Sequence, residues 1–423
     1  MKGVKMRGFI EQTMAEDALR KYLKEADIKV LQPEEIQITD ALGRTLAEDV
    51  KAEMDVPRFD RSAMDGYAVK SDDTFGASTT NPIVIDVIGT SKIGHVPSIG
   101  VGRLQAVRIS TGAPLPKGAD SVVMLEYTEM IGEDKIEIYR PTTPGYNVSQ
   151  RGEDVKRGER VLRKGTILQP QDIGILAAIG MVRVKVVRRP RVAILSTGNE
   201  LIEPGEKVDI GKTVDANRFV LTSSVKDLGG EPLDLGISRD EVEEIRSKIS
   251  KGLMTTDLVL VSGGTSVGEG DLVPEVVNSL GKPGIIVHGI SMRPGKPTAL
   301  ATVGGKPVIL LPGHPVAAMI AFSTFVKPII ARMLGTTIGK TRGQVIRARM
   351  TRRVPSSPGI RDFVRVILEK TDMGYVAEPV RTKGAGIISS MVRANGLVVI
   401  PEEREGVEEG EEVEVTLLRT LME

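Results

Sequence analysis

The sequence predicts a multidomain protein of α/β plus β class, with a central doubly wound α/β domain, a β-rich domain inserted before it and a small β domain after it. Three observations predict this. From Val192 to about Leu334 short apolar runs alternate with helix-type periodicity, the pattern of a parallel sheet covered on both faces. On either side the pattern changes to short β-type runs broken by Gly, Pro and Asp. And 423 residues are too many for one ordinary hydrophobic core.

Taken in order, residues 13–16 (T-M-A-E) read as a capping box ahead of Ala15, Ala18, Leu19, Tyr22, Leu23 and Ala26 at helical spacing. Residues 83–88, 106–109, 122–125 and 135–139 read as short strands of a β-rich module. Turn signals follow at Gly152, Gly158 and Gly165, then a helix over residues 170–179 and the alternating strand V-R-V-K-V-V. The α/β strands are V-A-I-L-S, P-L-D-L-G-I, D-L-V-L-V, G-I-I-V-H and P-V-I-L-L. Helices are expected over residues 218–228, after a second capping box at 238–241, from Pro274 towards Leu280, and from Pro315, a residue suited to the first helical position. Strands at 345–350, 363–368, 397–400 and 413–417 close the chain, with residues 402–412 an acidic turn.

Composition narrows the function. With 57 basic and 56 acidic side chains the net charge is +1, so no sequence-wide field draws in nucleic acid. Aromatic residues make up 3% and Trp is absent, which removes the stacking platforms of single-strand binders. The absence of Cys excludes disulfides, thiolate zinc sites, iron-sulfur clusters and cysteine nucleophiles. Any metal is therefore held by oxygen or by one of His95, His288 and His314. The N-terminus lacks the continuous apolar core of a signal peptide, and the longest apolar-rich stretch, residues 316–326, falls short of a bilayer span. A soluble, cytoplasmic protein acting on small molecules, without nucleic-acid or membrane partners, is expected.

Residues 257–271, D-L-V-L-V-S-G-G-T-S-V-G-E-G-D, carry the clearest chemical signal. An apolar strand ends in a loop where Gly263 and Gly264 let backbone N–H groups approach a ligand, Thr265 and Ser266 add hydroxyls, and Asp271 adds a carboxylate. Donors for a phosphate beside an acid for a cation suit a nucleotide-like or phosphorylated ligand. Four more segments sit where strand ends of an open α/β sheet form a ligand crevice. S-T-G-N-E supplies Thr197, Gly198 and Glu200, and D-A-N-R offers Asp215 to the site and Asn217 as a helix cap. M-R-P-G-K-P places Arg293 and Lys296 on a rigid turn suited to an oxyanion. L-P-G-H-P turns Pro312, Gly313 and Pro315 into a helix N-terminus. No Ser and Asp pair with His314 at a recognised spacing, which argues against a general-base role. Far away, residues 59–69 (F-D-R-S-A-M-D-G-Y-A-V) form a polar loop on a β-like frame.

In the order R-S-A-M-D-G-Y-A, R-I-S-T-G-A-P-L-P-K-G-A-D-S-V-V-M-L-E, N-V-S-Q-R-G-E-D, S-T-G-N-E-L, S-G-G-T-S-V-G-E-G-D, M-R-P-G-K-P and L-P-G-H-P, the chain resembles the molybdopterin molybdenumtransferase (MoeA) family, which includes the gephyrin E-domain. The resemblance covers essentially the whole chain. It implies a discontinuous N-terminal domain (1–55 and 146–187), an inserted β-rich domain (56–145), the α/β molybdopterin-binding domain (188–336) and a C-terminal β domain (337–423). It also implies a homodimer with sites between subunits, in which Asp65 reaches the partner's crevice.

The implied reaction inserts molybdate or tungstate into adenylylated molybdopterin and releases AMP, with magnesium as cofactor. The adenylylating enzyme of the same pathway is a further implied partner. On this resemblance Glu200 and Asp271 hold the magnesium, with Asp154 or Asp65 in support and Asp215 among the catalytic carboxylates. Thr197, Gly198, Ser262, Gly263, Gly264, Thr265 and Ser266 cradle the phosphate, Arg293 and Lys296 attract the oxyanion, and Pro312, Gly313 and Pro315 shape the adjoining loop. Two other readings stay open: adenylyl transfer to molybdopterin on the same α/β domain type, and a non-enzymatic, gephyrin-like scaffold. The chain departs from the commonest family pattern at Asn199 (Asp in T-G-D-E), Ala216 (Thr in D-T-N-R) and His314 (Asn in L-P-G-N-P). Asn199 lowers the local negative charge, which weighs against a metal role there.

Overall fold

The alternating segment forms a six-stranded sheet of β1 (Arg191–Thr197), β2 (Glu231–Ser238), β3 (Leu258–Ser262), β4 (Pro283–His288), β5 (Ala299–Val303) and β6 (Lys306–Leu311), in the order β2-β1-β3-β6-β5-β4. The computed structural model describes residues 12–265, 272–336, 344–381, 384 and 386–419. They divide into two units: residues 1–34, 43–45 and 187–423, which contain this sheet, and residues 35–42 and 46–186.

β1, β2, β3 and β6 run parallel, but β5 is antiparallel to both its neighbours, so the expected parallel sheet is mixed. β5 reads A-L-A-T-V, too weak an apolar run to stand out. It joins β6 through Gly304 and Gly305, both at positive φ, as a tight two-residue hairpin requires. Strand alternation explains the burial on both faces: Val192, Ile194, Leu258, Leu260, Ile309 and Leu311 enter one core. Ala193, Leu195, Val259, Val261, Val308 and Leu310 enter the other.

Five helices cover the sheet: α1 (Ala15–Glu25), α2 (Asn217–Asp227), α3 (Val242–Thr255), α4 (Val273–Leu280) and α5 (Pro315–Ala321). α1, α2 and α5 bury their apolar stripes in the first core, α3 and α4 in the second. The first of them, expected within a discontinuous N-terminal domain, thus packs Ala15, Ala18 and Tyr22 against the α/β sheet. Helical backbone continues beyond α5 to Leu334, further than the apolar stretch read from sequence. By length and composition Pro315–Leu334 could cross a membrane, but 67% of its apolar window is buried here, as in a core helix.

Neither expected capping box forms. Thr13 is held in extended backbone by a bridge to Ile290, and no side chain caps α1. Ser238 is the last residue of β2, paired with Thr197, and α3 begins only at Val242. In both cases pairing with a neighbouring segment takes the residue that local pattern assigned to a cap.

The C-terminal strands Arg361–Thr371, Gly374–Arg381, Val345–Met350, Glu412–Leu417 and Gly396–Ile400 pair in that order, and the last pairs back to the first, which closes a five-stranded ring. Met292–Arg293 adds to its edge, parallel to Arg361–Asp362, and carries the M-R-P-G-K-P turn to this domain.

The other unit holds a six-stranded sheet of Ser121–Met124, Gly66–Val69, Gln105–Ile109, Ile83–Ser91, Lys135–Ile138 and Thr128–Ile131. A separate core joins Leu46, Val50 and Ala52 to Val155, Leu168, Leu176 and Val184, so the segments flanking that sheet pack on each other.

Candidate functional site

Parallel register sets the carboxyl ends of β1, β3 and β6 side by side: Ser196 pairs with Ser262, and Ser262 with Leu311. The loops that follow, together with the start of α2, line a crevice of about 490 Å³. Its walls include Thr197, Gly198, Glu200, Asp215, Asn217, Ser262, Gly263, Gly264, Thr265, Pro312, Gly313 and Pro315, most of the residues expected from sequence. Ser266 and Asp271 lie outside the described residues.

The glycines are required by close approach. Gly263 has φ +96°, and a Cβ there would lie 2.3 Å from the Thr197 carbonyl oxygen. Gly264 has φ +60°, and its Cβ would lie 3.0 Å from Thr197 Oγ1 and 2.7 Å from a Val273 methyl. Beside this narrow seam, Ser196 Oγ, Thr197 Oγ1 and Asn217 Oδ1 are buried without a hydrogen-bond partner among the described residues. Each such atom costs roughly 1–3 kcal/mol if left unsatisfied. Three at one crevice give a polar lining that a bound ligand or water can meet.

Asp215 lies in the wall but is committed. Its carboxylate accepts from the Arg218 N–H at 3.2 Å and from Arg218 Nε at 3.1 Å. Arg218 also donates to both Asp234 oxygens, at 2.9 and 2.8 Å, and to Glu203. Burial lowers the Arg218 pKa, but Asp234 and Glu203 outweigh it and the net shift is upward. Asp215 therefore holds the Arg218 N–H in the first turn of α2, and Ala216 takes the N-cap position that the sequence suggested for Asn217. Asn217 is instead the first helical residue, and its Nδ2 donates across the crevice floor to Ser262 Oγ at 2.7 Å and to the Gly313 carbonyl at 2.8 Å. Nothing local in D-A-N-R signals this bridge, which depends on the strand order.

Glu200 is exposed, with its carboxylate turned back over Gly198: a Cβ on Gly198 would lie 2.6 Å from Glu200 Oε2. Asn199 clips its loop to Asp240, the Asn199 N–H donating to Asp240 Oδ2 and the Asp240 N–H to Asn199 Oδ1, both at 3.2 Å. Among the described residues no group of three or more His, Asp or Glu is placed to hold a metal. Asp65 and Asp154 belong to the other unit and are exposed there. Asp65 accepts from the Thr111 N–H at 2.7 Å and from its hydroxyl at 3.2 Å.

Arg293 and Lys296 line a second cavity, of about 690 Å³, between the α/β loops and the C-terminal strands. It shares Pro297, Pro312 and His314 with the crevice, so the two adjoin. Arg293 forks onto Asp362, with Nε 2.6 Å from Oδ1, and Ser356 Oγ donates to the same carboxylate at 2.6 Å. Arg365, which the sequence reading missed, is 3% exposed in the cavity wall, and burial lowers its pKa. It sits within an apolar strand where no turn or glycine announces a site. His288 Nε2 lies 3.1 Å from the Thr265 carbonyl and steadies the glycine loop. His314 packs its ring against Gly386, whose Cβ would lie 3.1 Å from the ring. Hydroxyls and backbone donors in one chamber, beside buried and forked guanidinium groups in the next, suit a ligand with a phosphate and a second oxyanion.

Comparison with known proteins gives matches along almost the whole chain. Residues 13–180 match the MoeA N-terminal region (domain I and II), residues 193–332 a probable molybdopterin binding domain, and residues 347–418 the MoeA C-terminal region (domain IV). A putative molybdopterin biosynthesis protein of Methanocaldococcus jannaschii is 39% identical over 91% of this chain and 92% of its own. A molybdopterin molybdenumtransferase of Bacillus subtilis is 34% identical over 92% of this chain and 90% of its own. The crystal structure of a molybdopterin biosynthesis MoeA protein from Pyrococcus horikoshii superposes with a TM-score of 0.83 at 38% identity, covering 97% of this chain and 100% of that one.

Proposed function

The chain belongs to the MoeA family, and from that premise we propose that it inserts molybdate or tungstate into adenylylated molybdopterin and releases AMP, as a cytoplasmic homodimer that uses magnesium. Its activity is that of a molybdopterin molybdenumtransferase, within molybdenum cofactor biosynthesis. One observation carries the finer reading: the crevice at the strand ends, with three buried side-chain oxygens that meet no partner among the described residues, opens beside a cavity walled by Arg293, Lys296 and Arg365.

A phosphoanhydride and an oxyanion are both negative and repel unless directed donors separate and screen them. In this reading the loop of Ser262, Gly263, Gly264 and Thr265 with Thr197 holds the phosphate, and the neighbouring cations hold the oxyanion. Magnesium takes oxygen ligands, keeps several waters and needs only one or two protein carboxylates, so the Glu200 carboxylate at the crevice mouth fits it. Asp271 is the proposed second carboxylate. Bound there, the ion would neutralise charge on the phosphate as the anhydride opens. Asp65 and Asp154 are proposed to complete the site from the partner subunit. Four domains with the boundaries expected from sequence, and docking with the adenylylating enzyme, belong to the same proposal.

The test is incubation of the purified chain with adenylylated molybdopterin, magnesium and either oxyanion, measuring AMP and pterin-bound metal. AMP release coupled to metal uptake is expected. Pyrophosphate release from ATP and unmodified molybdopterin, without metal insertion, would assign adenylyl transfer instead. A strict monomer in light scattering would remove the role given to Asp65.

A further inference from the structure

Asn217 joins two of the loops that frame the crevice through one NH2 group. Its Nδ2 donates to Ser262 Oγ at 2.7 Å and to the Gly313 carbonyl oxygen at 2.8 Å. A carbonyl only accepts, so the nitrogen end of the amide faces Gly313, and both of its protons are used. The oxygen end meets no partner among the described residues. Among the described residues these two bonds orient the amide. Its footing is firm, because the adjacent Arg218 is fastened to Asp215, Asp234 and Glu203 at the start of α2.

The backbone ladder between β3 and β6 ends with the Gly263 N–H donating to the Leu311 carbonyl at 3.1 Å. Beyond that point the chains diverge, one into the glycine loop at Gly263 and Gly264, the other through Gly313 into α5. Asn217 extends the tie past the strand ends into both.

We propose that Asn217 is a positioning residue that sets the spacing between these two loops, so that one phosphate-bearing nucleotide touches both at once. The inference rests on the reading of the crevice as the site from which AMP is released. A ligand that spans both loops feels their spacing. Inorganic phosphate, small enough for the glycine loop alone, does not.

Calorimetric titration of the full chain with AMP and, separately, with inorganic phosphate tests this on the wild type, N217A, S262A and the double variant. N217A is expected to weaken AMP binding about tenfold or more while phosphate affinity stays within about twofold. S262A, which removes one of the two bonds together with the Ser262 hydroxyl's own donation to the Pro312 carbonyl at 3.4 Å, should also weaken AMP binding. Its effect should shrink when it is added to N217A, because both variants act through the same tie. If N217A does not fold, Asn217→Ser, whose hydroxyl cannot reach both partners at once, carries the same comparison of the two ligands. In the Asn217 variants, equal losses for AMP and phosphate or unchanged AMP binding would overturn the positioning role, as would additive effects of N217A and S262A. A wild-type chain that binds no AMP would instead overturn the reading of the crevice, and this inference with it.

Discussion

Arg188 and Asp257 face each other across two parallel bonds, Nη1 to Oδ2 at 2.7 Å and Nη2 to Oδ1 at 2.6 Å. The same carboxylate accepts the Arg191 N–H at 2.9 Å, so the pair fastens the entry of β1 to the entry of β3 at the end of the sheet opposite the crevice.

This pair predicts a pH dependence. Burial raises the Asp257 pKa, but the bonds from Arg188 and Arg191 outweigh it and the carboxyl stays below its ordinary value. A carboxylate held down in the fold stabilises above its unfolded pKa, about 3.9, and that contribution is lost as pH falls through the folded value. Asp257→Asn should cost about 1–2 kcal/mol at neutral pH. Its deficit should close as the pH falls below about 4. Urea unfolding across this range checks it, and a deficit that does not change with pH would deny the linkage.

Gly263→Ala should damage the site beyond repair by small shifts. The new Cβ would meet the Thr197 backbone oxygen, not a flexible side chain, at a φ that alanine rarely adopts. The backbone conformation alone costs about 1–3 kcal/mol. Loss of AMP binding with a lowered thermal midpoint is expected, and a variant that binds AMP normally would separate this loop from the ligand.

Arg293 and Asp362 predict an asymmetry. The Asp362 side chain is 6% exposed and that of Arg293 is 51% exposed. Arg293→Ala leaves a buried carboxylate with Ser356 as its remaining side-chain donor among the described residues and should cost about 1–3 kcal/mol. Asp362→Ala leaves a half-exposed guanidinium that water can solvate, and should cost less. Arg293→Lys keeps the charge but not the fork, and should recover only part of the loss. Denaturant unfolding of the three variants gives the order, and their KM for molybdate tests the cavity assignment.

Glu200→Gln should leave stability within about 0.5 kcal/mol of wild type, since the side chain is exposed. The magnesium requirement for AMP release should rise at least about tenfold. Asp271→Asn is expected to behave alike. AMP release measured against magnesium concentration decides, and an unchanged curve removes that carboxylate from the metal set.

Much of the frame was legible because it depends on local pattern. The apolar runs of β1, β3 and β6 needed burial on both faces, and Gly263, Gly264 and Gly313 marked where backbones come close. Motif order along the chain carried the family. The antiparallel β5 was missed because its small residues blur the apolar signal, and both capping boxes failed because Thr13 and Ser238 are drawn into extended pairing.

The sequence by itself determined five of the six strands of the α/β sheet, which turns need glycine and which chemical groups are available at the strand ends. Only the tertiary structure decided that Asn217 spans to Ser262 and Gly313, that Arg218 reaches across to Asp234, and that Arg293 forks onto Asp362 near the buried Arg365. The physical reason is that periodicity and turn chemistry act over a few neighbouring residues. A hydrogen bond between side chains far apart in sequence exists only once strand order and register have brought their backbones together.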